Sequence, residues 1–219
     1  MYYYGPQYPW VDNAVAESGI FEDILLGKNN WGTFNFYRMF CQDGFGGKPN
    51  SLSSGGKPFA ITETAATVHL WIAPKINTTL PATLPANSDP ASRVRIKQAW
   101  WRQFLNSTLL ATYPKIKFMN FFEFIKFEET TWRDFSSLGG GTNITSPFGN
   151  DGSALDSSTL AALQSDLRSQ EVDQLIQWGN KISAGSVNGN RAGSNSGSSS
   201  AAHGNHMILL ACIIAGLLL

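Results

Sequence analysis

The chain has 219 residues, and 16 basic side chains stand against 16 acidic ones, so its formal net charge is zero. That balance leaves no electrostatic footprint for nucleic acid or for an acidic partner. Two cysteines, Cys41 and Cys212, exclude a disulfide framework and a four-thiolate zinc site. With only His69, His203 and His206 besides, no metal or other cofactor is expected. Fourteen Phe, seven Trp and six Tyr are too many for a disordered chain.

In chain order, residues 1–4 read as the end of a strand that runs into a Gly-Pro-x-x-Pro loop. Residues 21–26 and 34–42 read as short helices, the second amphipathic and aromatic. A Gly/Ser/Lys/Pro loop over 43–57 leads into 58–62, PFAIT, an apolar run bounded by Pro and polar residues that reads as a short buried strand. Residues 64–92 carry Pro74, Pro81, Pro85 and Pro90 and read as one long loop, a feature that is usually functional in a compact domain. His69 falls in that loop.

The spacing of Val94, Trp101, Phe104 and Leu105 predicts a helix over 92–110, with Ser92 as its N-cap and Tyr113-Pro114 closing it. Residues 116–122, IKFMNFF, predict a second strand. The interval before residue 157 reads as loop, and 157–181 as a last amphipathic helix. Strands separated by long helical crossovers imply parallel pairing in an α/β fold. Glu63 directly follows the first strand and Glu123 the second. In a parallel α/β sheet, chemistry collects where strands end, and two carboxylates on one rim are what carbohydrate hydrolysis requires. Tyr2, Tyr3, Tyr4, Trp10 and Trp71 are candidates for stacking on sugar faces, although large aromatics build cores equally well.

The C-terminal end has a composition of its own. Of the 23 residues over 183–205, 7 are Ser, 5 Gly, 4 Asn and 4 Ala, which is a linker and not a core. A run of 13 apolar residues, 207–219, then ends the chain. As a helix it would rise only about 20 Å, short of the roughly 30 Å hydrocarbon core. Small residues, a polar spacer and a short apolar end are the layout of a glycolipid-anchor signal, with attachment expected at Asn195 or Ser196. The expected organisation is therefore a folded body over 1–181, a disordered linker over 182–206 and a cleavable tail over 207–219. Sequons at Asn77, Asn106 and Asn143 agree with a secreted, surface-anchored product. The N-terminus shows neither the basic nor the apolar region of a signal peptide, which is expected if residue 1 is not the natural start. No G-x-G-x-x-G or G-x-S-x-G motif directs the reading to a dinucleotide enzyme or a serine hydrolase.

The run Lys57-Pro58-Phe59-Ala60-Ile61-Thr62-Glu63-Thr64, followed by Phe121-Phe122-Glu123-Phe124-Ile125-Lys126-Phe127-Glu128, resembles glycoside hydrolase family 26, in particular its fungal extracellular members. In that family K-P-[IF]-x-[IV]-x-E ends the seventh strand of a (β/α)8 TIM barrel, and its Glu is the retaining nucleophile. The resemblance assigns that role to Glu63. A Tyr at the end of strand six usually hydrogen-bonds the nucleophile, and Tyr2 or Tyr4, which strand alternation puts on one face, would fill it. The resemblance spans roughly residues 1–135 and implies the C-terminal part of such a barrel, acting on a β-linked polysaccharide of mannan or glucan type. The family's general acid is a Glu on strand four, which has no counterpart in this stretch, so the stretch by itself is expected to be inactive on unactivated glycosides. Glu123 is a weak substitute for that acid. The alternative is a non-catalytic, anchored carbohydrate-binding protein.

Overall fold

A computed structural model describes residues 1–6, 11–41, 58–72, 83–137 and 157–176 and the backbone of 208–212. The elements are β1 (Tyr2–Tyr3), α1 (Ile20–Leu26), α2 (Phe36–Cys41), β2 (Phe59–Ala66), β3 (Val68–Ile72), α3 (Pro90–Phe104), α4 (Ser107–Thr112), β4 (Ile116–Phe122), β5 (Ile125–Glu128), β6 (Thr131–Asp134), α5 (Ser157–Leu167), α6 (Gln170–Leu175) and β7 (Ile208–Cys212). Strands β1, β2, β4 and β7 form a parallel sheet in that order. The parallel α/β pairing expected from the sequence is present. No barrel closes among the described residues.

A second sheet, β3-β6-β5, is antiparallel. It grows out of the first, because only Thr67 separates β2 from β3 and only Glu123 and Phe124 separate β4 from β5. Both parallel strands thus run past the end of their own sheet and re-pair around β6. Residues 64–72, read from sequence as loop, are strand for this reason. His69, likewise expected in a loop, stands on β3 with no exposure. The interval 125–134, also read as loop, is the β5–β6 hairpin.

Helix α3 covers the parallel sheet. It starts one turn earlier than expected: Asp89 is the N-cap, its side chain accepting from the Ser92 amide at 2.9 Å, and Pro90 sits in the first turn, where its missing N–H costs nothing. Ser92 is not the cap but donates its hydroxyl to Asp89 at 2.6 Å. Ile96, Lys97, Trp100, Trp101 and Phe104 make the buried stripe. The single helix expected over 92–110 breaks at Leu105, and Asn106 caps a new helix, α4, by accepting from the Leu109 amide at 3.0 Å. The helix expected over 157–181 breaks likewise, with Ser169 capping α6. Asp166 on α5 accepts from Trp101 at 2.8 Å, from Gln98 at 3.1 Å and from both Arg102 nitrogens, latching α5 onto α3.

The core is aromatic: Tyr3 stacks on Trp100 at 6.0 Å, and Phe21 meets Trp100 at 5.5 Å and Phe104 at 5.1 Å. The apolar tail, which the sequence sets apart from the folded body, contributes β7, pairing Ile208 with Phe118 and Cys212 with Phe122 along the free edge of β4. The linker before it lies outside the described residues. Among the described residues no helix is long and apolar enough to cross a membrane.

One charge is buried where the two sheets meet. Lys97, 1% exposed, donates to the carbonyl of Asp134 at 3.0 Å and reaches that of Ala66 at 3.4 Å, with the Asp134 carboxylate 3.7 Å away. Burial lowers the Lys97 pKa, and Asp134 and Glu123 oppose that shift. Removing one partner of a buried pair strands the other, at a cost of about 3–5 kcal/mol. Lys97→Met is therefore expected to lower stability by about that amount in urea unfolding at neutral pH. Adding Glu123→Gln should return part of the loss; full additivity of the two changes would show that they do not share the charge.

Candidate active site

Strand β2 carries a bulge. Ile61 pairs with Met119 and Thr64 with Phe121, so three steps on β2 oppose two on β4. The extra residue turns Thr62 and Glu63 both outward, in succession, where plain alternation would bury one of them. Asn120 Nδ2 holds the bulge by donating to the Thr62 carbonyl at 3.1 Å. Glu63 therefore reaches solvent from inside a strand and not, as expected, from just beyond its end.

Tyr2 sits on the neighbouring parallel strand, with Tyr3 turned into the core and Tyr2 and Tyr4 turned the other way. The Tyr2 hydroxyl donates to Glu63 Oε2. Burial, and then that bond to Glu63, push the Tyr2 phenol far above the usual tyrosine range, so it stays protonated and able to donate. Tyr4 does not reach Glu63 by a hydrogen bond; its ring lies 5.8 Å from that of Tyr2 and 5.9 Å from that of Phe135. Burial raises the Tyr4 pKa as well.

Phe122 and Phe135 complete an aromatic bed beneath Tyr2, with centroids 5.5 and 5.6 Å from it, edge-on. Its charged fringe is self-compensating. Lys126 lies 5.3 Å from the Phe122 centroid and pairs with Glu128 at 2.6 Å. Arg133 lies 5.1 Å from the Tyr4 centroid and donates to Glu128 at 2.8 Å and Glu129 at 2.9 Å. The surroundings of Glu63 thus hold aromatic rings, a phenol, and charges paired among themselves.

Glu123 belongs to a different place. It is 4% exposed, and both its oxygens accept from the Ser137 amide, at 2.9 and 2.8 Å, beside Lys97. The expectation that it shares an open rim with Glu63 is corrected: β4 gives way to β5 at this point, and the chain folds over it. Trp71 is corrected in the same way. It is 4% exposed, its ring 5.5 Å from that of Trp132 on β6, so it is core and not a stacking platform. Trp10, Asn77, Asn143, Asn195 and Ser196 lie outside the described residues. Phe122, Phe135, Lys126, Glu128 and Arg133 were not singled out from sequence. The period-two alternation in IKFE is the sequence signal that covers two of them, Lys126 and Glu128.

His69 ties this site to the second sheet. Its Nε2 donates to the Tyr4 carbonyl at 2.8 Å and its Nδ1 accepts from the Thr131 hydroxyl at 3.2 Å, while Thr131 accepts from Arg133 at 2.9 Å. Burial lowers its pKa from 6.5 to about 4, so the ring is neutral at physiological pH. Among the described residues no cluster of side chains could hold a metal ion. No family model matches the chain, and neither a curated protein nor a solved structure is detectably similar to it.

The lowered pKa means that the unfolded chain binds a proton that the folded one refuses between about pH 6.5 and 4. Stability held above pH 6.5 is therefore lost as pH falls through that window, by about 3 kcal/mol from this group. His69→Gln, whose amide can still donate to the Tyr4 carbonyl, is expected to flatten the curve of urea midpoint against pH by that amount. Parallel curves for the two proteins would remove His69 from the account.

Proposed function

We propose that this chain carries the C-terminal part of a retaining glycoside hydrolase barrel similar to family 26, with Glu63 as the nucleophile that attacks a β-linked mannan- or glucan-like polysaccharide. One observation carries the reading: the hydrogen bond from Tyr2, on the adjacent parallel strand, to a Glu63 carboxylate that the bulge turns outward. In such a reaction a Glu63 oxygen bonds to the anomeric carbon as the glycosidic C–O bond breaks. Tyr2 holds the other oxygen, which orients the attack and excludes protonation by a competing donor at that atom. Water then cleaves the glycosyl ester with general-base help. The proton donor to the leaving oxygen is neither Glu123, buried on the Ser137 amide, nor Glu128, paired with Lys126 and Arg133. On this reading the acid is none of the carboxylates around Glu63.

Those engaged carboxylates favour a second reading, a carbohydrate-binding surface protein that uses the same aromatic bed without turnover. The two are separated in the natural full-length polypeptide. Glu63→Ala should lower turnover by several orders of magnitude while oligosaccharide affinity stays within about tenfold, or 1.4 kcal/mol. Azide should restore cleavage of an activated aryl glycoside and yield a glycosyl azide of inverted configuration relative to the normal product. Tyr2→Phe should cost roughly ten- to a hundredfold in kcat, the worth of a hydrogen bond to a charged group. Binding without any turnover would select the second reading.

We propose further that the product is secreted and held at the cell surface by a glycolipid joined at Asn195 or Ser196, in support of which stand the 183–205 composition and the apolar end. Anchoring removes residues 207–219, whereas pairing with β4 keeps them, so the two fates compete for the same segment. In a fungal host, phosphatidylinositol-specific phospholipase should release the protein from membranes. Release failing, with the tail intact by mass spectrometry, would leave the tail to β7.

A further inference from the structure

Apart from the Glu63 site, a cleft of about 550 Å³ opens between α1, α3 and α4. Its volume is that of a small-ligand site, on the order of 300–1,000 Å³. Its two charged residues are already engaged: Glu22 accepts from the Tyr113 hydroxyl, and Arg102 is held by Asp166. What is left is neutral and amphipathic, with the hydroxyls of Ser18, Thr108 and Thr112 beside the apolar surfaces of Ala16 and Leu109. Asn106 lines the same cleft and begins the sequon Asn106-Ser107-Thr108.

We propose that Asn106 carries an N-linked glycan whose first N-acetylhexosamine units lie in this cleft. The proposal rests on the secretory reading above. The half-buried Asn106 uses only Oδ1 in capping α4, accepting from the Leu109 amide at 3.0 Å. Glycosylation replaces one hydrogen on Nδ2 and leaves Oδ1 free to accept, so the cap and the glycan coexist on one side chain. In the transfer, Nδ2 bonds to C1 of an N-acetylglucosamine carried on a lipid diphosphate. The C1–O bond to the diphosphate breaks, the lipid diphosphate leaves with the electron pair, and the amide proton passes to the transferring enzyme. The acetamido methyl and the ring face then have Ala16 and Leu109 to cover, and the hydroxyls have Ser18 and, as an acceptor only, Thr112, whose own proton goes to the Thr108 carbonyl at 2.9 Å.

The test is expression of the full chain behind a supplied signal peptide in a glycosylating host, with peptide mapping after glycosidase release in heavy-oxygen water. Label at Asn106 is expected. Label at Asn77 or Asn143 without Asn106 would overturn the proposal and leave the secretory reading standing; no label at any sequon would overturn the proposal too. Placement in the cleft is read separately, from the rate at which an endoglycosidase trims the Asn106 glycan on the native protein. Trimming about tenfold slower than on the denatured chain is expected, and equal rates would overturn the placement. Asn106→Asp keeps an acceptor for the Leu109 amide but no sugar. Its melting temperature should match that of the enzymatically deglycosylated protein and fall below that of the glycosylated one; equality of all three would overturn a lodged glycan.

Discussion

A single buried ammonium group organises the join between the two sheets. Lys97 comes from the middle of α3, and its reach ends at the carbonyls that close β2 and β6, with the Asp134 carboxylate beside it and Glu123 in electrostatic range. A charge this deep is tolerable only if it is paired and its donors are hydrogen-bonded. The neighbouring groups obey the same demand. Asp134 accepts from the Ser136 amide at 2.7 Å and its hydroxyl at 2.6 Å, and Glu123 accepts from the Ser137 amide. Helix, both parallel strand ends and the hairpin are thereby held at one point.

That point also shapes the exposed face. Phe135 stands between Asp134 and Ser136, fully buried, and forms the underside of the Tyr2, Tyr4 and Phe122 bed. The same segment therefore satisfies a buried charge with its polar neighbours and supports Tyr2 with its ring. The division of labour between the two glutamates follows. One is turned out by a bulge and met by a phenol, and the other is folded under and met by an amide and an ammonium. Identical side chains end in opposite environments because Glu63 stands at a bulge inside β2 whereas Glu123 stands past the end of β4, where the chain turns into β5.

Much of the fold was legible. IKFMNFF is β4 to the residue, and α1 and α2 fall within two residues of their expected starts, because apolar runs and amphipathic spacing act locally. The hairpin of β5 and β6 was missed because its turn carries no Gly or Asn: Glu129 takes the left-handed conformation there at φ 55°. The helix breaks at Leu105 and before Ser169 were missed because the apolar pattern continues across them, and only the cap hydrogen bonds reveal the interruption. For the site, Glu63 and Tyr2 were legible through motif and alternation, but the choice of Tyr2 over Tyr4 was not, since both share a face and only distance separates them.

By itself the sequence determined that the chain is α/β with parallel strands, and that Glu63 and Glu123 lie in or beside strand-forming runs. These follow from composition and from periods of two and 3.6 residues, which nearest neighbours along the chain impose. Only the tertiary structure decided that Glu63 is exposed and Glu123 buried, that Trp71 is core, and that β2 and β4 leave one sheet to build another. Each of those outcomes depends on residues tens of positions apart, such as Lys97 with Ala66 and Asp134, and on a register shift between strands. Side-chain burial is settled by what comes to lie across from a residue in space, and no local pattern carries that information.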